Sequence, residues 1–181
     1  MAIDEPSVAR SERRWATAMI TASATLLAAI VYASLGAHIT PPSNSLETVD
    51  PATLHVAGEF VEANLGTKVE SGGEVVARIV TAQFAFQPAC VVVPQDTPVT
   101  FRIASPDVIH GVMILGTNVN SMVVPGYVSR VRTRFQDTGD MLMPCHEFCG
   151  LGHSQMLAHV RVVAKADFKP DANGRATCAP E

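Results

Sequence analysis

A long uncharged segment near the N-terminus is the strongest constraint on how this chain can fold. Residues 15–46 contain no Lys, Arg, Asp or Glu, and the part from Trp15 to Ile39 is rich in Ala, Leu, Ile and Thr. A helix of about 20 mainly apolar residues is long enough to span a bilayer. The segment therefore predicts one transmembrane helix over residues 15–40, preceded by a short N-terminal segment, residues 1–14.

Basic residues before the apolar segment set its expected orientation. Arg10, Arg13 and Arg14 precede it, and positive charge beside a span is retained on the cytoplasmic side. A cleaved signal sequence is the alternative, since an arginine pair before an apolar run is also typical of a twin-arginine signal. Signal cores usually have only about 7–15 apolar residues, which favours a retained anchor. Both interpretations export the rest of the chain.

Residues 41–74 are predicted to link the membrane helix to an exported domain. Asp50 followed by Pro51 is typical of a helix start, so a short helix is expected from there to Gly66. Residues 47–74 carry six acidic residues against one lysine. This charge predicts either a solvated face or a docking surface for a basic partner.

From Val75 onward the pattern changes to short apolar runs rich in Val, Ile and Phe, separated by turn signals such as Asp137-Thr138-Gly139. Many short strands at this spacing are typical of an all-β sandwich or Greek-key barrel. Residues 75–166 are therefore predicted to form one β domain, and residues 167–181 an irregular tail. The expected strands are Val75–Thr81, Cys90–Val93, Val99–Ala104, His110–Ile114, Met122–Val124, Ser129–Phe135, Asp140–Pro144 and Leu157–Val163.

One loop of this domain carries the residues that indicate chemistry. It reads Cys-His-Glu-Phe-Cys-Gly-Leu-Gly-His-Ser-Gln-Met over residues 145–156 and lies between two predicted strands. Thiolate, imidazole and thioether are soft ligands, which favour copper over zinc and far over magnesium or calcium. Met156 discriminates further, because structural zinc sites use Cys, His and carboxylate ligands.

The number of candidate ligands indicates more than one metal ion. A mononuclear blue-copper site needs one Cys, two His and a weak Met. This chain offers two cysteines, and its candidate ligands are His110, Cys145, Cys149, His153 and Met156. They fit two copper ions bridged by two thiolates, an arrangement that spreads one electron over both metals and lowers reorganisation. A Cys145–Cys149 disulfide is the alternative in an oxidising compartment.

Composition excludes several other classes of protein. With 181 residues the chain is too short for a multidomain enzyme, and its 48% apolar residues exclude a disordered chain. A net charge of −4 argues against nucleic acid as a partner, because such domains usually carry a basic patch. Cys90 and Cys178 lie outside the loop and either pair or remain free.

These motifs resemble those of cytochrome c oxidase subunit II, in its copper-A (CuA) domain. The resemblance covers nearly the whole chain: the anchor, Ser-Pro-Asp-Val-Ile-His-Gly over residues 105–111, Gly-Thr-Asn over 116–118, Pro125-Gly126, and the loop over 145–156. The chain looks most like the single-anchor subunit II of B-type bacterial haem-copper oxidases. The resemblance implies a cupredoxin-like fold and electron transfer from cytochrome c through CuA to the haem of subunit I, where O2 is reduced to water.

The resemblance also implies roles for individual residues. The implied copper ligands are the imidazoles of His110 and His153, the bridging thiolates of Cys145 and Cys149, the backbone carbonyl of Glu147 and the weak axial thioether of Met156. Asp107 is expected to orient the loop that carries His110. The carboxylate of Glu147 is a candidate ligand for a magnesium ion at the interface with subunit I.

Three further residues match functional positions of the family. Phe84 and Phe86 stand where other members have a tryptophan-rich surface that accepts electrons, and either line such a surface or simply pack. Glu12 matches a glutamate at the cytoplasmic mouth of a proton channel, with an exposed helix-start acid as the alternative. The implied location is a bacterial inner membrane, crossed once, with the N-terminus in the cytoplasm and the copper domain on the periplasmic side.

Other functions stay open from the sequence. Nitrous oxide reductase and some nitric oxide reductases carry similar CuA domains, so the CuA subunit of a nitric oxide reductase is a second hypothesis. A periplasmic copper-binding or delivery protein is a hypothesis of a different class. A strand-held His110 argues against it, because a delivery site usually needs an open ligand set. A disulfide-stabilised structural module is the last alternative.

Overall fold

A computed structural model describes residues 5–35 and 46–178 of the chain. The chain divides into two compact units, residues 1–45 and residues 46–181. The first unit contains the helix α1, Glu5–Leu35. Residues 36–40 of the predicted span lie outside the described residues.

Helix α1 has the length and composition of a membrane span. Its stretch Pro6–Ala33 is apolar, with a mean hydropathy of 1.7. Thr17, Thr21 and Thr25 donate hydroxyl hydrogen bonds of 2.8–2.9 Å to the carbonyls four residues earlier. Because their hydroxyl donors are paired within the helix, these threonines are compatible with an apolar surrounding. The helix begins ten residues earlier than the predicted span, at Glu5 instead of Trp15.

The second unit is built from short strands. In order they are β1 (Gly66–Val69), β2 (Val75–Ala82), β3 (Ala85–Gln87), β4 (Cys90–Pro94), β5 (Pro98–Ala104), β6 (His110–Met113), β7 (Asn120–Val123), β8 (Ser129–Arg134), β9 (Gly139–Pro144), β10 (Leu157–Val163) and β11 (Arg175–Ala176). Single 3-10 turns lie at Pro51–Thr53, Glu62–Asn64 and His153–Gln155.

The strands form a sandwich. One sheet has the order β11-β1-β2-β5-β8 with β3 also paired to β2, a second has the order β4-β10-β9, and β6 pairs with β7. The pairs β2–β5 and β4–β10 are parallel. A single large core of Val, Ile and Phe side chains, including the fully buried Ile79, Phe101 and Ile103, fills the interior. The predicted fold class, an all-β cupredoxin-like domain preceded by one apolar helix, is confirmed.

The segment before β2 differs from the prediction. The helix expected between Asp50 and Gly66 is replaced by two 3-10 turns and the start of β1. Gly58 lies between the turns with a φ of 87°, which is outside the helical region and interrupts helical hydrogen bonding. Leu54 and Phe60 are each 1% exposed and pack on the outer side of the larger sheet. From residue 46 onward, the predicted linker is therefore part of the folded domain.

The acidic segment neutralises a row of arginines on that sheet. Arg78, Arg102 and Arg130 stand in register on β2, β5 and β8. Glu59 accepts hydrogen bonds from Arg78 at 2.9 Å and from Arg102 at 2.5 Å, and Glu47 also pairs with Arg102. Like charges side by side destabilise a sheet, so these carboxylates offset that repulsion. Both acids are engaged within the domain, which neither hypothesis for the acidic segment predicted.

The C-terminal segment is also part of the domain. Strand β11 pairs with β1, and Cys90 at the start of β4 forms a disulfide with Cys178 across 6.0 Å between their Cα atoms. The expectation of an irregular tail is therefore wrong for Arg175–Ala176. Strands β1, β3 and β11, which have four, three and two residues, were not predicted.

Candidate metal centre

Two segments bring the predicted ligands together at one end of the sandwich. His110 is the first residue of β6, reached by the loop that follows β5. Residues 145–156 connect β9 to β10, whose antiparallel pairing places Pro144 opposite Leu157. The amide of Cys145 donates a 3.1 Å hydrogen bond to the carbonyl of Met156, which closes the neck of this loop. We refer to residues 145–156 as the ligand loop.

The two sulfur atoms of the ligand loop are close but not bonded. The Sγ atoms of Cys145 and Cys149 are 3.9 Å apart, and both thiols are free and buried. A disulfide needs about 2.05 Å between the sulfurs, so the predicted alternative of a Cys145–Cys149 disulfide is wrong. Metal–thiolate bonds are about 2.3 Å long, as in zinc sites, so two sulfurs at this separation can share one ion and can bridge two.

His110 presents a defined nitrogen to these sulfurs. Its side chain is fully buried, its Nδ1 atom lies 3.9 Å from the Sγ atom of Cys145, and its Nε2 atom lies 2.9 Å from Oδ1 of Asp107. Because Nε2 faces a carboxylate, it carries the proton of the neutral ring, and Nδ1 keeps a free lone pair. The donor atoms of His110, Cys145 and Cys149 all lie within 4.8 Å of one another.

Asp107 is held by several donors. Its carboxylate accepts hydrogen bonds from the amide of Gln83 at 2.7 Å, the amide of Val108 at 2.6 Å and the hydroxyl of Ser105 at 3.0 Å, besides the contact with His110. Burial opposes ionisation, but these hydrogen bonds prevail and hold the pKa of Asp107 below its ordinary value. The residue therefore stays a carboxylate at neutral pH and contacts the imidazole of His110.

The remaining predicted ligands line the same site. The Sγ atom of Cys149 is 3.7 Å from Nδ1 of His153 and 3.8 Å from Sδ of Met156. The backbone carbonyl oxygen of Glu147 is 3.3 Å from the Sγ atom of Cys145. The structure thus brings together two thiols, two imidazoles, one thioether and one carbonyl, a soft donor set that fits copper.

The thiol of Cys149 is protonated at neutral pH when no metal ion is bound. Burial, together with the neighbouring Cys145, raises the pKa of the Cys149 thiol to about 11. Only the thiolate is a metal ligand, so a metal ion must displace this proton when it binds. Metal affinity of this site is therefore expected to depend on pH.

The two phenylalanines have different environments. Phe84 is 39% exposed, and its ring covers the ligand loop so closely that a Cβ atom on Gly152 would lie 2.5 Å from the ring. Phe86 is 2% exposed and packs in the core. Only Phe84 can line a surface, and for Phe86 the structure supports the packing alternative.

The other predicted functional residues are not part of the ligand cluster. The side chain of Glu147 is 44% exposed, and its Oε1 atom lies 3.7 Å from Nδ1 of the neighbouring His146. The ring of His146 lies against Gly111, where a Cβ atom would be 2.6 Å from Nδ1. Glu12 lies on α1, in the other unit of the chain.

Gln83 is a contact residue that the sequence did not reveal. Its amide binds Asp107, 24 residues away, and its side chain binds the carbonyl of Cys149, 66 residues away. The only signal in the sequence is that it precedes Phe84, which the family resemblance had singled out. Contacts over such separations are set by the fold and leave no local pattern.

Comparisons with known proteins give one consistent family. The family model for the periplasmic domain of cytochrome c oxidase subunit II matches residues 78–163. A cytochrome c oxidase subunit 2 of Thermus thermophilus is 33% identical over 153 residues, covering 83% of this chain and 90% of that protein. A second subunit 2 from the same species is 36% identical over 121 residues, covering 67% of this chain and 90% of that protein.

A solved structure extends the similarity to the fold. One chain of a haem-copper terminal oxidase dimer, determined by cryo-electron microscopy, superposes with a TM-score of 0.59 at 27% identity. The match covers 84% of this chain and 99% of that chain. The similarity therefore extends well beyond the ligand loop.

Proposed function

This chain belongs to the cytochrome c oxidase subunit II family, and from this premise we propose that it accepts electrons for a respiratory haem-copper oxidase. It would receive them from a cytochrome c and pass them to the haem of subunit I, where O2 is reduced to water. The chain serves the oxidase as its electron-transfer subunit, and the oxygen-reducing site belongs to subunit I. It is anchored in the membrane by α1.

The observation that carries this proposal is the different state of the two cysteine pairs. Cys90 and Cys178 form a disulfide, whereas Cys145 and Cys149 remain free thiols with 3.9 Å between their sulfurs. Both free thiols are buried, and Nδ1 of His110 lies 3.9 Å from the sulfur of Cys145. Two buried thiols beside an imidazole are expected of a metal site and not of a structural cross-link.

The proposed cofactor is a binuclear copper centre. When bound, two copper ions bridged by Cys145 and Cys149 would store one electron with little change in bond lengths. The proposed ligands are held rigidly: His110 starts a strand and is fixed by Asp107, and Met156 is 2% exposed. Rigid ligands suit electron transfer because they limit the rearrangement that follows a change of charge.

An apolar surface lies over the proposed centre and suits transient docking of a redox partner. Phe148 and Leu151 of the ligand loop are 79% and 99% exposed, and the ring of Phe84 lies against the same loop. Exposed apolar side chains grouped in this way commonly mark interaction sites. We assign the acceptance of electrons to this surface, with Phe84 as the residue that resemblance had indicated.

Two acidic residues have proposed roles at other interfaces. The carboxylate of Glu147 is exposed enough to bind a magnesium ion shared with subunit I. Glu12 is proposed to stand at the cytoplasmic mouth of a proton channel. Substituting each by Gln in the assembled oxidase would test the roles separately: loss of bound magnesium for Glu147, and slower proton uptake for Glu12.

The proposed orientation places the β domain on the periplasmic side of a bacterial inner membrane. Arg10, Arg13 and Arg14 precede the apolar part of α1, which favours a cytoplasmic N-terminus. The Cys90–Cys178 disulfide supports this orientation, because disulfides persist in the periplasm and are rare in the cytosol. Reaction of intact cells with a membrane-impermeant label directed at the β domain would test it.

Electron paramagnetic resonance of the full chain loaded with copper tests the proposed cofactor. We expect hyperfine splitting by two equivalent copper nuclei and two copper ions per chain. Splitting by one nucleus would contradict the bridged centre. Copper that exchanges rapidly with a chelator and accepts no electrons from cytochrome c would instead indicate a delivery protein.

Turnover of the assembled complex tests the terminal acceptor. The relatives described above are cytochrome c oxidase subunits, which supports O2. We expect oxygen consumption that stops when Cys149 is replaced by Ala. Turnover with nitric oxide and none with O2 would instead indicate that the chain is the CuA subunit of a nitric oxide reductase.

A further inference from the structure

The connection between β2 and β3 touches both segments that carry the proposed ligands. It consists of Gln83 and Phe84, since β2 ends at Ala82 and β3 begins at Ala85. One of the two segments is the loop from β5 to His110, and the other is the ligand loop. By contacting both segments, this connection can hold them in place relative to each other before any metal ion binds.

The backbone of Gln83 supports His110. Its N–H group donates a 2.7 Å hydrogen bond to Oδ2 of Asp107, whose Oδ1 atom is 2.9 Å from Nε2 of His110. Asp107 thus lies between the two residues, and Gln83 fixes the carboxylate that fixes the imidazole. This link depends only on the main chain of Gln83 and would survive a change of its side chain.

The side chain of Gln83 supports the ligand loop. Its amide nitrogen donates a hydrogen bond to the carbonyl oxygen of Cys149. Among the residues that the structure describes, this is the one hydrogen bond from outside the loop to the loop backbone between residues 146 and 155. Gly150 leaves room for the amide, since a Cβ atom there would lie 2.9 Å from the Gln83 nitrogen.

We infer that Gln83 is a positioning residue for the metal centre, which holds His110 through Asp107 and holds Cys149 through its own side chain. The inference rests on the proposed function in one respect, namely that His110 and Cys149 bind copper. Two consequences follow from the geometry. First, the hydrogen bond from Gln83 makes opening of the metal-free ligand loop rarer. Second, the positive end of the amide dipole is directed at Cys149 and favours the more electron-rich, reduced state of the centre.

Replacing Gln83 by Met isolates the side chain. Met has nearly the length of Gln but no N–H group, and the main-chain bond to Asp107 is retained. Gln83 lies at the surface, so the change does not disturb the core. A matched control is Gln95→Met. Gln95 lies in the turn between β4 and β5, and its side chain also donates to a backbone carbonyl, that of Gln136 at 2.6 Å.

The first measurement uses the metal-free full chain. The rate at which iodoacetamide alkylates Cys145 and Cys149 under native conditions reports how often the ligand loop opens. We expect Gln83→Met to raise this rate about fivefold, the factor that loss of one ordinary hydrogen bond gives, and Gln95→Met to leave it unchanged. Cys90 and Cys178 do not interfere, because they are paired.

The second measurement uses the copper-loaded full chain. We expect Gln83→Met to lower the reduction potential and to alter the copper hyperfine splitting, while Gln95→Met changes neither. Equal alkylation rates and equal potentials in Gln83→Met and the wild type would overturn the inference. Equal effects of both substitutions would overturn it as well, since they would indicate general destabilisation.

Failure of the inference can be told from failure of the proposed function. If the wild-type chain bound no copper, or only one ion, the proposed function would fail, but the alkylation experiment would still decide whether Gln83 holds the loop. If the wild-type chain bound two copper ions and the Gln83 variant matched it in both measurements, only the inference would fail.

Discussion

Asp107 decides which nitrogen of His110 can bind a metal ion. Its carboxylate faces Nε2 and receives further hydrogen bonds from Gln83, Val108 and Ser105. Both carboxylate oxygens of Asp107 face hydrogen-bond donors. In Asp107→Asn one of these oxygens becomes an NH2 group, which is itself a donor and cannot accept a hydrogen bond. We expect copper affinity to fall about 10- to 100-fold, as for other residues that orient a metal-binding histidine. Competition with a chelator of known affinity measures this.

The control for this change is another acid with a side-chain partner. Asp140 accepts a 3.0 Å hydrogen bond from Arg161 and lies on β9, at the strand end opposite the ligand loop. Asp140→Asn should leave copper affinity unchanged. If both variants bound copper as the wild type does, Asp107 would not orient His110 in the way described.

Gly111 allows β6 and the ligand loop to approach each other closely. A Cβ atom at this position would lie 2.6 Å from Nδ1 of His146 and 2.8 Å from the backbone nitrogen of Glu147. The second contact cannot be relieved by a side-chain rotation, so Gly111→Ala must push the loop away from His110. We expect a loss of about 1–3 kcal/mol of unfolding free energy, typical of overpacking, together with weaker copper binding.

A second glycine provides the comparison for this substitution. Gly72 has no neighbour within 4 Å of the Cβ position and no left-handed φ angle. Gly72→Ala should change neither thermal stability nor copper binding by a measurable amount. A Gly111→Ala chain with the melting temperature and copper content of the wild type would show that the loop tolerates displacement.

At the scale of elements, the larger sheet depends on the segment that precedes it. Arg78 and Arg102 stand opposite each other on β2 and β5, and Glu59 accepts hydrogen bonds from both. Burial opposes ionisation of Glu59, but the two arginines prevail and lower its pKa. We expect Glu59→Gln to reduce the unfolding free energy by about 1–2 kcal/mol at pH 7. The loss is modest because the ion pairs of Glu59 with the two arginines are partly exposed.

The pH dependence of this effect has a definite sign. Because the pKa of Glu59 is lower in the folded chain than its ordinary value of 4.5, the carboxylate stabilises the fold above that value, and the contribution is lost as the pH falls below it. The difference in melting temperature between wild type and Glu59→Gln should therefore shrink from pH 7 to pH 3. A difference that stayed constant would contradict the ion pair, and Glu62→Gln serves as the control.

At the scale of the whole molecule, the features that could be predicted from the sequence are those formed by residues close together in the chain. The ligand loop carries most of the candidate ligands within residues 145–156, and closely spaced Val, Ile and Phe residues mark strands such as β5 and β10. The contacts of Gln83 could not be predicted, because its partners are 24 and 66 residues away. The row formed by Arg78 and Arg102 depends on strand register, which no local pattern determines.

The same limit explains the errors at both ends of the β domain. Asp50 followed by Pro51 suggested a helix, but Leu54 and Phe60 of this segment are buried because they meet the larger sheet. The tail has too few apolar residues to predict a strand, yet pairing with β1 and a disulfide hold it in place. In each case, a partner distant in sequence determines the local structure.

The Cys90–Cys178 disulfide joins two residues that are far apart in the sequence. Cys90 and Cys178 are 88 residues apart, so their bond restricts the unfolded chain strongly. Replacing both by Ala should lower the unfolding free energy by about 2–5 kcal/mol, the usual cost of losing a native disulfide, while the copper spectrum stays unchanged. Replacing Cys145 and Cys149 by Ala should abolish copper binding. It should lower the unfolding free energy of the metal-free chain by less than loss of the disulfide does. Similar melting temperatures for the two double variants would contradict this division between one cysteine pair that stabilises the domain and one that binds metal.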